Sequence, residues 1–272
     1  MNLKRKLITI CLVLMGNFSY AADNVDKLQQ VIDGPQRSVE NKARDIYRHP
    51  YKTLKFFGLT ESMTVAEITP GGGWYTEILA PYLKDHGQYI AAGYDIHSKS
   101  DYYRTNAEKF QAKLDADPEH YSKAHVSVMQ LPDQLDFAPA ETVDMVVSFR
   151  NVHHWHSKGE TEKVFGAIFK SLKPGGVFGL VQHRAGYDQP KDTSGALGYV
   201  SPKEVIDIAK KVGFALEAKS EVNANPKDTK DYEKGVWTLP PVYRLKDQDK
   251  DKYQKIGESD RMTLKFVKKA LK

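Results

Sequence analysis

The chain has 272 residues, of which 40% are hydrophobic and 28% are charged, and its formal net charge at pH 7 is +5. A chain of this length can bury a core that needs no disulfide bonds. The aromatic content of 11% argues against intrinsic disorder, and the charged fraction argues against a membrane-embedded helix bundle. The positive charge would suggest a nucleic-acid partner, but three of its cations lie in the first six residues.

The N-terminus has the pattern of a secretory signal peptide. Cations at positions 4–6 precede an apolar run from Leu7 to Met15, and small residues stand three and one positions before a cut after Ala21. The run is too short to span a bilayer, which needs about 20 residues. Removing residues 1–21 would lower the formal charge to +2 and eliminate the only cysteine. We therefore expect a periplasmic or secreted protein with no stable membrane anchor, no disulfide or thiolate metal site and no nucleic-acid surface.

Residues 22–62 have helical patterns, interrupted at Gly34-Pro35 and before Pro50, and they predict an N-terminal helical cap. Strands and helices then alternate over residues 63–272. The predicted strands are 63–69, 88–94, 125–129, 143–149, 176–182, 216–222 and 262–267, and the predicted helices between them are 75–83, 102–115, 160–172 and 202–212. Strands separated by helices indicate one α/β domain, with a mostly parallel sheet covered by helices on both faces.

The stretch from about 223 to 256 breaks this alternation and is predicted to be an insertion. It is rich in Lys and Asp, yet it contains the apolar segment Val236–Tyr243 with Trp237. Two interpretations remain open, because long loops are often functional. The insertion is either a lid over a pocket or a solvated loop held in place by one hydrophobic patch.

The first predicted strand ends in a glycine-rich turn. Glu67 lies on the strand, and Thr69-Pro70-Gly71-Gly72-Gly73 follows it. Ligands of open α/β sheets bind beyond the carboxyl ends of the strands, and glycines there let a ligand approach the backbone at a helix N-terminus. The turn is not a dinucleotide fingerprint, since Thr76 replaces its third glycine, and it is not a phosphate loop, since no Lys follows.

An acidic residue followed by Gly-x-Gly resembles motif I of the class I S-adenosylmethionine-dependent methyltransferases. Val143–Trp155 resembles the fourth strand and following loop of these enzymes, and Leu172–Gly176 resembles the turn into their fifth strand. The sequences of three segments are similar to those of an uncharacterised family of exported bacterial predicted methyltransferases. These segments are Arg48-His49-Pro50, Thr69–Glu77 and Phe149–Trp155. The resemblance implies a Rossmann-like fold with a seven-stranded sheet and a reversed last strand, and S-adenosylmethionine as the cofactor.

The resemblance also implies which residues hold the cofactor. Asp95 ends the second strand, where its two carboxylate oxygens can accept hydrogen bonds from both ribose hydroxyls. Gln130 or Asp133 would replace the Asp with which many relatives reach the adenine amine. Thr69 and Pro70 stand where motif I usually has Gly and a small residue, so the cofactor would meet a bulkier wall. The expected cofactor-binding residues are Glu67, Thr69, Gly71, Gly73, Asp95 and Gln130.

Other polar residues near the strand ends are expected to face the methyl acceptor, a small molecule. A histidine can take the proton from an attacking hydroxyl or amine near neutral pH, so we expect His154 or His183 to act as the base. The expected acceptor-binding residues are Arg48, His49, Tyr75 and Asn151. No feature of the sequence indicates an oligomeric state.

His153, His154 and His156 also suggest a metal site, because three protein ligands are typical of catalytic zinc. Adjacent histidines on a loop rarely aim both rings at one ion, and no acidic residue has a recognisable ligand spacing, so we predict no metal. Methyl transfer is the expected function. The alternatives are a non-catalytic binding protein of the periplasm with the same fold, favoured by Thr69-Pro70 and by export, and a metal-dependent hydrolase, favoured only by the histidines.

Overall fold

The computed structural model describes residues 26–186 and 195–269. The expected signal peptide and its cleavage site lie outside these residues. Within the described part of the chain, no helix is long and apolar enough to cross a membrane.

Short helices come first, and strands then alternate with helices. The helices are α1 (Lys27–Asp33), α2 (Val39–Lys42), α3 (Asp45–Arg48), α4 (Pro50–Phe57), α5 (Thr76–Leu83), α6 (Asp101–Asp115), α7 (Pro118–Tyr121), α8 (Val152–His156), α9 (Thr161–Ser171), α10 (Pro202–Val212) and α11 (Lys250–Ile256). The strands are β1 (Thr64–Ile68), β2 (Gln88–Gly93), β3 (His125–Val128), β4 (Val143–Phe149), β5 (Leu172–His183), β6 (Phe214–Ser220) and β7 (Arg261–Lys268). The predicted elements are confirmed, with ends that shift by a few residues.

The seven strands form one sheet in the order β3-β2-β1-β4-β5-β7-β6. The first five strands pair in parallel, whereas β7 is antiparallel to both β5 and β6. This arrangement confirms the predicted Rossmann-like sheet with its reversed last strand. The order reverses between β1 and β4, and in open α/β sheets a ligand site forms beyond the strand ends at such a point.

Both faces of the sheet are buried, which is why its central strands read as continuous apolar runs. Successive residues of β1 point to opposite faces: Val65 belongs to the core cluster under α1, α4 and α5, and Ala66 belongs to the cluster under α9 and α10. The two helical layers are therefore held by two separate hydrophobic cores.

The N-terminal helices belong to the first of these cores. Leu28 of α1 and Leu54 and Phe57 of α4 are completely buried. The ring of Phe57 lies directly over Gly179 of β5, where a Cβ atom would come within 2.6 Å of the ring. The absence of a side chain at this one strand position lets α4 pack closely on the sheet, and this holds α3 and its arginine at the strand ends.

Three parts of the structure were not anticipated as helical, of which the short helix α7 is the first. Residues 152–156 were expected to be a loop, but they form α8, because Val152 and Trp155 are three residues apart and both turn their side chains into the core. The insertion forms a 3-10 helix at Gly235–Thr238 and the helix α11, around a small core of its own. The histidines of α8 are consequently placed by a helix rather than by a flexible loop.

Candidate active site

Three cavities open at the carboxyl ends of the parallel strands and share Thr69 in their walls. Their volumes are about 230, 290 and 280 Å³, and we refer to them as the first, second and third cavity. The first lies beside Gly71 and Asp95, the second beside Arg48 and His183, and the third beside Tyr94 and Trp155. Together they reach the size of roughly 300–1,000 Å³ that is typical of ligand sites.

The glycine turn forms an open cradle between the first and second cavities. Gly71 has φ +60°, a conformation that glycine adopts without strain, and Cβ atoms added at Gly71 or Gly72 would meet nothing within 4 Å. The backbone of the turn is therefore accessible to a ligand. Gly73 serves packing instead, because a Cβ there would lie 3.0 Å from the side chain of Lys113, and Gly73 lines none of the three cavities.

Asp95 lies at the wall of the first cavity, immediately after β2. Its carboxylate accepts hydrogen bonds from the backbone N–H of His97 at 2.8 Å and from Nε2 of Gln134 at 3.1 Å. These two bonds, the first above all, lower the pKa of Asp95, so the group is ionised at neutral pH. An ionised, partly exposed acid beside an open glycine turn fits the ribose-binding role that the resemblance implied.

Gln130 supports the Asp95 loop and lines none of the three cavities. Its Oε1 accepts a hydrogen bond from the backbone N–H of Asp95 at 3.2 Å, and its Nε2 donates to Oγ of Ser98 at 3.3 Å. The structure therefore places Gln130 behind the loop that carries Asp95, and not on a cavity wall where we expected it to contact the cofactor.

Thr69 adopts a left-handed backbone conformation with φ +51°, which is unfavourable for a β-branched residue. Its backbone N–H donates to the carbonyl oxygen of Ala92 at 2.8 Å, which ties the turn to the end of β2. This conformation accounts for the Gly that motif I usually has here. The Thr69 side chain occupies the junction of the three cavities at the expense of backbone strain.

Glu67 is almost completely buried and lines the second cavity. Its Oε2 accepts hydrogen bonds from the hydroxyl of Tyr89 at 2.7 Å and from Oγ1 of Thr76 at 3.2 Å. Burial raises the pKa of Glu67 to about 7, against the opposing effects of these two hydroxyls and of Arg150. Glu67 is therefore only partly ionised at neutral pH.

Asn151 joins the ends of the two central strands. Its Nδ2 donates to the carbonyl oxygen of Ile68 at 2.8 Å and contacts Oγ of Ser148 at 3.3 Å. The residue lines both the second and the third cavity. Its position thus agrees with a role at the acceptor, and its amide also holds β1 and β4 in place beneath the cavities.

A group of arginines lines the second cavity, and only one of them, Arg48, was anticipated. Nε of Arg44 and Nε of Arg48 donate to the two carboxylate oxygens of Glu258, at 2.6 and 3.2 Å. Arg261 donates to the same carboxylate at 3.0 Å, and Arg150 lies on the cavity wall. Burial would raise the pKa of Glu258, but the surrounding arginines lower it to about 2.

His183 is buried at the end of β5 and lines the second cavity. Its Nδ1 makes a hydrogen bond of 2.5 Å with Oγ of Ser259. Burial, and then the charges of neighbouring groups that include Arg150, hold the pKa of His183 well below its usual value. The imidazole is therefore neutral at pH 7, which is the form that accepts a proton.

His154 is more exposed and lies between the second and third cavities. Burial and the nearby Lys158 lower its pKa. Trp237, from the tip of the insertion, stacks against His154 with ring centroids 6.4 Å apart and also lines the second cavity. Of the two interpretations of the insertion, the structure therefore favours a cover over a pocket.

His49 lies outside the cavities, although we expected it at the acceptor site. It has φ +42° and connects α3 to α4 directly before Pro50, and its Nδ1 is buried. Burial lowers its pKa. His49 thus belongs to the turn that positions Arg48. Of the residues expected at the acceptor, Arg48 and Tyr75 do line the second cavity.

Among the described residues, no group of three or more His, Cys, Asp or Glu side chains could hold a metal ion. His156 points toward Glu204, whose carboxylate lies 3.5 Å from its Nδ1, and it lines none of the three cavities. His154 and His156 of α8 therefore face different parts of the structure, His154 the second and third cavities and His156 the side chain of Glu204.

Comparisons with known proteins agree with the fold. Residues 66–180 match the family model described as a methyltransferase domain, whereas no curated protein sequence matches the chain. Among solved structures, an S-adenosylmethionine-dependent methyltransferase from Aquifex aeolicus is similar over 89% of this chain and 97% of its own, with 18% identity and a TM-score of 0.55.

Two further structures show the same fold. An arsenic(III) S-adenosylmethionine methyltransferase from Chlamydomonas reinhardtii is 14% identical, with 90% of this chain and 74% of its own covered and a TM-score of 0.52. A phosphoethanolamine N-methyltransferase from Haemonchus contortus, in complex with phosphomonomethylethanolamine and S-adenosylhomocysteine, is 17% identical, with coverages of 91% and 61% and a TM-score of 0.52. Residues 66–180 are thus matched by a methyltransferase domain, and the strand order and the motif I turn agree with the fold of the class I S-adenosylmethionine-dependent methyltransferases.

Proposed function

We propose that this protein transfers the methyl group of S-adenosylmethionine to a small-molecule acceptor bound in the second cavity. The observation that carries this proposal is the meeting of the three cavities at Thr69. The open glycine turn and Asp95 lie on one side of Thr69, and a buried neutral histidine lies on the other. A donor and an acceptor can therefore be bound next to each other at the strand ends.

The first and third cavities would hold the cofactor. The backbone of Gly71 would contact it through the open turn, and the carboxylate of Asp95 would accept hydrogen bonds from the ribose hydroxyls. Thr69 would contact it at the junction of the three cavities, and Glu67, on the wall of the second cavity, would face it across that junction. Gln130 and Gly73 would contribute indirectly, because they shape the loop of Asp95 and the packing of the turn.

When bound, the cofactor supplies an electrophilic methyl group on a positively charged sulfur, so the protein has mainly to position the acceptor and exclude water. As the new bond to the methyl carbon forms and the carbon–sulfur bond breaks, an acceptor hydroxyl or amine loses a proton. His183 would take this proton, because its imidazole is neutral and the hydrogen bond with Ser259 fixes its orientation. His154, at the more open side, is the second candidate base.

Calorimetric titration of the purified protein, residues 22–272, with S-adenosylmethionine and S-adenosylhomocysteine tests the proposal. Both ligands are expected to bind, and Asp95→Ala is expected to weaken each of them by about tenfold or more, the usual effect of losing a charge-assisted hydrogen bond. Asp136→Ala, which removes an exposed carboxylate away from the cavities, serves as the matched control. Absence of binding by both ligands would contradict the proposal.

We also propose that the protein is exported and that its mature form begins at Ala22. The support is the N-terminal pattern of cations, a short apolar run and small residues before the cut. Intact-mass measurement of the protein from a periplasmic extract is expected to show the chain without residues 1–21. A mass that includes Met1 would contradict export by cleavage.

A further inference from the structure

The arginines of the second cavity have more hydrogen-bond donors than the protein uses. Arg48 is only 3% exposed, and its buried Nη1 has no hydrogen-bond partner. The half-buried side chain of Arg150 makes no hydrogen bond or ion pair within the described residues, and it lies on the wall of the cavity. Burying a charged donor without a partner is costly, so Nη1 of Arg48, with the unpaired side chain of Arg150 on the same cavity wall, is arranged for a partner that the protein alone does not provide.

The charges of the cavity do not balance either. Four arginines (Arg44, Arg48, Arg150 and Arg261) surround the single carboxylate of Glu258. The other acid at the cavity, Glu67, has a pKa of about 7 because it is buried, so it is only partly ionised. Arg261 is fully engaged by Glu258, the carbonyl oxygen of Ser259 and the carbonyl oxygen of Tyr47. The unneutralised positive charge is therefore centred on Arg44, Arg48 and Arg150.

The cofactor as a whole does not neutralise this charge. S-Adenosylmethionine carries one carboxylate, but it also carries an ammonium group and a sulfonium, so its net charge is +1. Binding it would add positive charge beside the arginines. The missing negative charge must therefore come from the other molecule that occupies the second cavity.

The side chain of Arg48 is also held in place before any ligand arrives. Arg37 and Arg48 both lie over the ring of Trp74, with guanidinium carbons 4.8 and 4.7 Å from its centroid. Nε1 of Trp74 donates to the carbonyl oxygen of Asn41, which fixes the indole. Arginines that are ordered in this way lose little conformational entropy when they bind an oxyanion.

We propose that the methyl acceptor is an anion, and that the arginine group formed by Arg44, Arg48 and Arg150 binds its phosphate or carboxylate. This inference rests on the proposed function, since it assigns the second cavity to the acceptor. The arginines would hold the oxyanion at the α3 side of the cavity and leave the nucleophilic atom of the acceptor toward His183. Oxyanions of this kind are the groups that arginines recognise with paired, charge-assisted hydrogen bonds.

Titration of the protein with inorganic phosphate, in the presence of saturating S-adenosylhomocysteine, tests this inference. The cofactor's own carboxylate then occupies its place, so any phosphate that binds occupies a separate site. Phosphate is expected to bind, and Arg150→Gln is expected to weaken it by about tenfold or more. Arg104→Gln, which removes an arginine outside the cavities, is the matched control and is expected to change phosphate binding less than about twofold. Succinate in a parallel titration shows whether carboxylates bind better than phosphate.

Arg150→Gln has a second readout that does not depend on any ligand. Because the side chain of Arg150 has no hydrogen-bond or ion-pair partner within the described residues and lies near other arginines, replacing it removes an uncompensated charge, and Tm is expected to rise by about 2–4 °C. Phosphate should raise the Tm of the unaltered protein loaded with S-adenosylhomocysteine more than that of the variant. A variant that loses stability would show that Arg150 is a structural residue.

Two results would overturn the inference. The first is that neither phosphate nor succinate binds to the protein saturated with S-adenosylhomocysteine. The second is that Arg150→Gln weakens S-adenosylhomocysteine but leaves 5′-methylthioadenosine, which lacks the amino-acid part, unaffected; the arginines would then hold the cofactor's carboxylate. Failure of S-adenosylhomocysteine itself to bind is seen in the first titration and would contradict the proposed function separately.

Discussion

The ring of Tyr75 lies flat against the ring of Phe149, with centroids 3.5 Å apart and planes 8° from parallel. Tyr75 directly precedes α5, and Phe149 is the last residue of β4, so the stack joins the glycine turn to the neighbouring strand end. Both residues are buried and line the second cavity. The floor on which the acceptor would rest is therefore a rigid aromatic surface that belongs to the core.

Phe149→Ala is expected to lower the free energy of unfolding by about 3–5 kcal/mol, because it removes a buried ring and leaves a cavity. Tyr75→Phe keeps the stack and removes only the hydroxyl, so its expected effect on the same quantity is about 1 kcal/mol or less. Urea unfolding, followed by circular dichroism, measures both. Equal losses in the two variants would show that the stack is not what stabilises the cavity floor.

The strain at Thr69 leads to a second prediction. Gly adopts φ +51° freely, whereas Ala keeps most of the steric conflict of Thr. Thr69→Gly is therefore expected to be more stable than Thr69→Ala by about 1 kcal/mol, although Gly ordinarily costs stability through the entropy of the unfolded chain. Urea unfolding of the two variants measures the difference. If Ala proves equal or better, the left-handed conformation at this position is wrong.

The buried carboxyl of Glu67 predicts an unusual dependence of stability on pH. The pKa of Glu67 is about 7 in the folded protein, whereas a glutamate that is not buried has a pKa of 4.5. The folded state therefore holds the proton more tightly than the unfolded state. Protonated Glu67 is fully compatible with the fold below about pH 4.5, and stability is lost as the pH rises from there through about 7. A shift of this size corresponds to about 3 kcal/mol.

Glu67→Gln retains an oxygen that accepts hydrogen bonds and cannot ionise. Relative to the unaltered protein, the variant is expected to gain stability progressively as the pH rises, by up to about 3 kcal/mol above pH 7. Unfolding free energies measured from about pH 4 to pH 8 give this difference. Glu162→Gln, an exposed control on α9, is expected to stay within about 0.5 kcal/mol throughout. A constant difference for Glu67→Gln would refute the raised pKa.

The protonation state of His183 provides a fourth test, which needs no knowledge of the acceptor. Burial comes first among the causes of its lowered pKa, and Arg150 is one of the charges that add to it. His183 is therefore expected to stay neutral at about pH 6, and Arg150→Gln is expected to raise its pKa. Titration of the imidazole nitrogens by NMR measures both, with Arg104→Gln as the control. A protonated His183 at that pH would remove the argument for it as a base.

The strands were predictable because strands buried on both faces form continuous apolar runs that turns interrupt, and β4 was predicted to the residue. The helix α8 was missed, since a single turn with three histidines carries little helical signal. Its two apolar residues, Val152 and Trp155, indicate a helix only once it is known that both pack into the core beneath them.

Some residues of the candidate site were likewise predictable from the sequence and others were not. Glu67, Gly71 and Asp95 stand next to strand ends, and a local pattern marks them. Gln130 and His49 were assigned from sequence position alone, and the structure places them behind the loops that carry Asp95 and Arg48. Sequence reasoning did not single out Arg150, which the structure places on the wall of the second cavity, although an arginine at the end of a central strand is itself a signal.

By itself, the sequence determined the alternation of strands and helices, the glycine turn and the acid after the second strand, because each of these depends on neighbours along the chain. Only the tertiary structure decided the chemistry of the second cavity. The antiparallel β7 inserts beside β5 and sets Arg261 opposite His183, and this pairing carries Glu258 to Arg48, which lies 210 residues earlier. No local pattern encodes such a contact, since it depends on the order of the strands in the sheet.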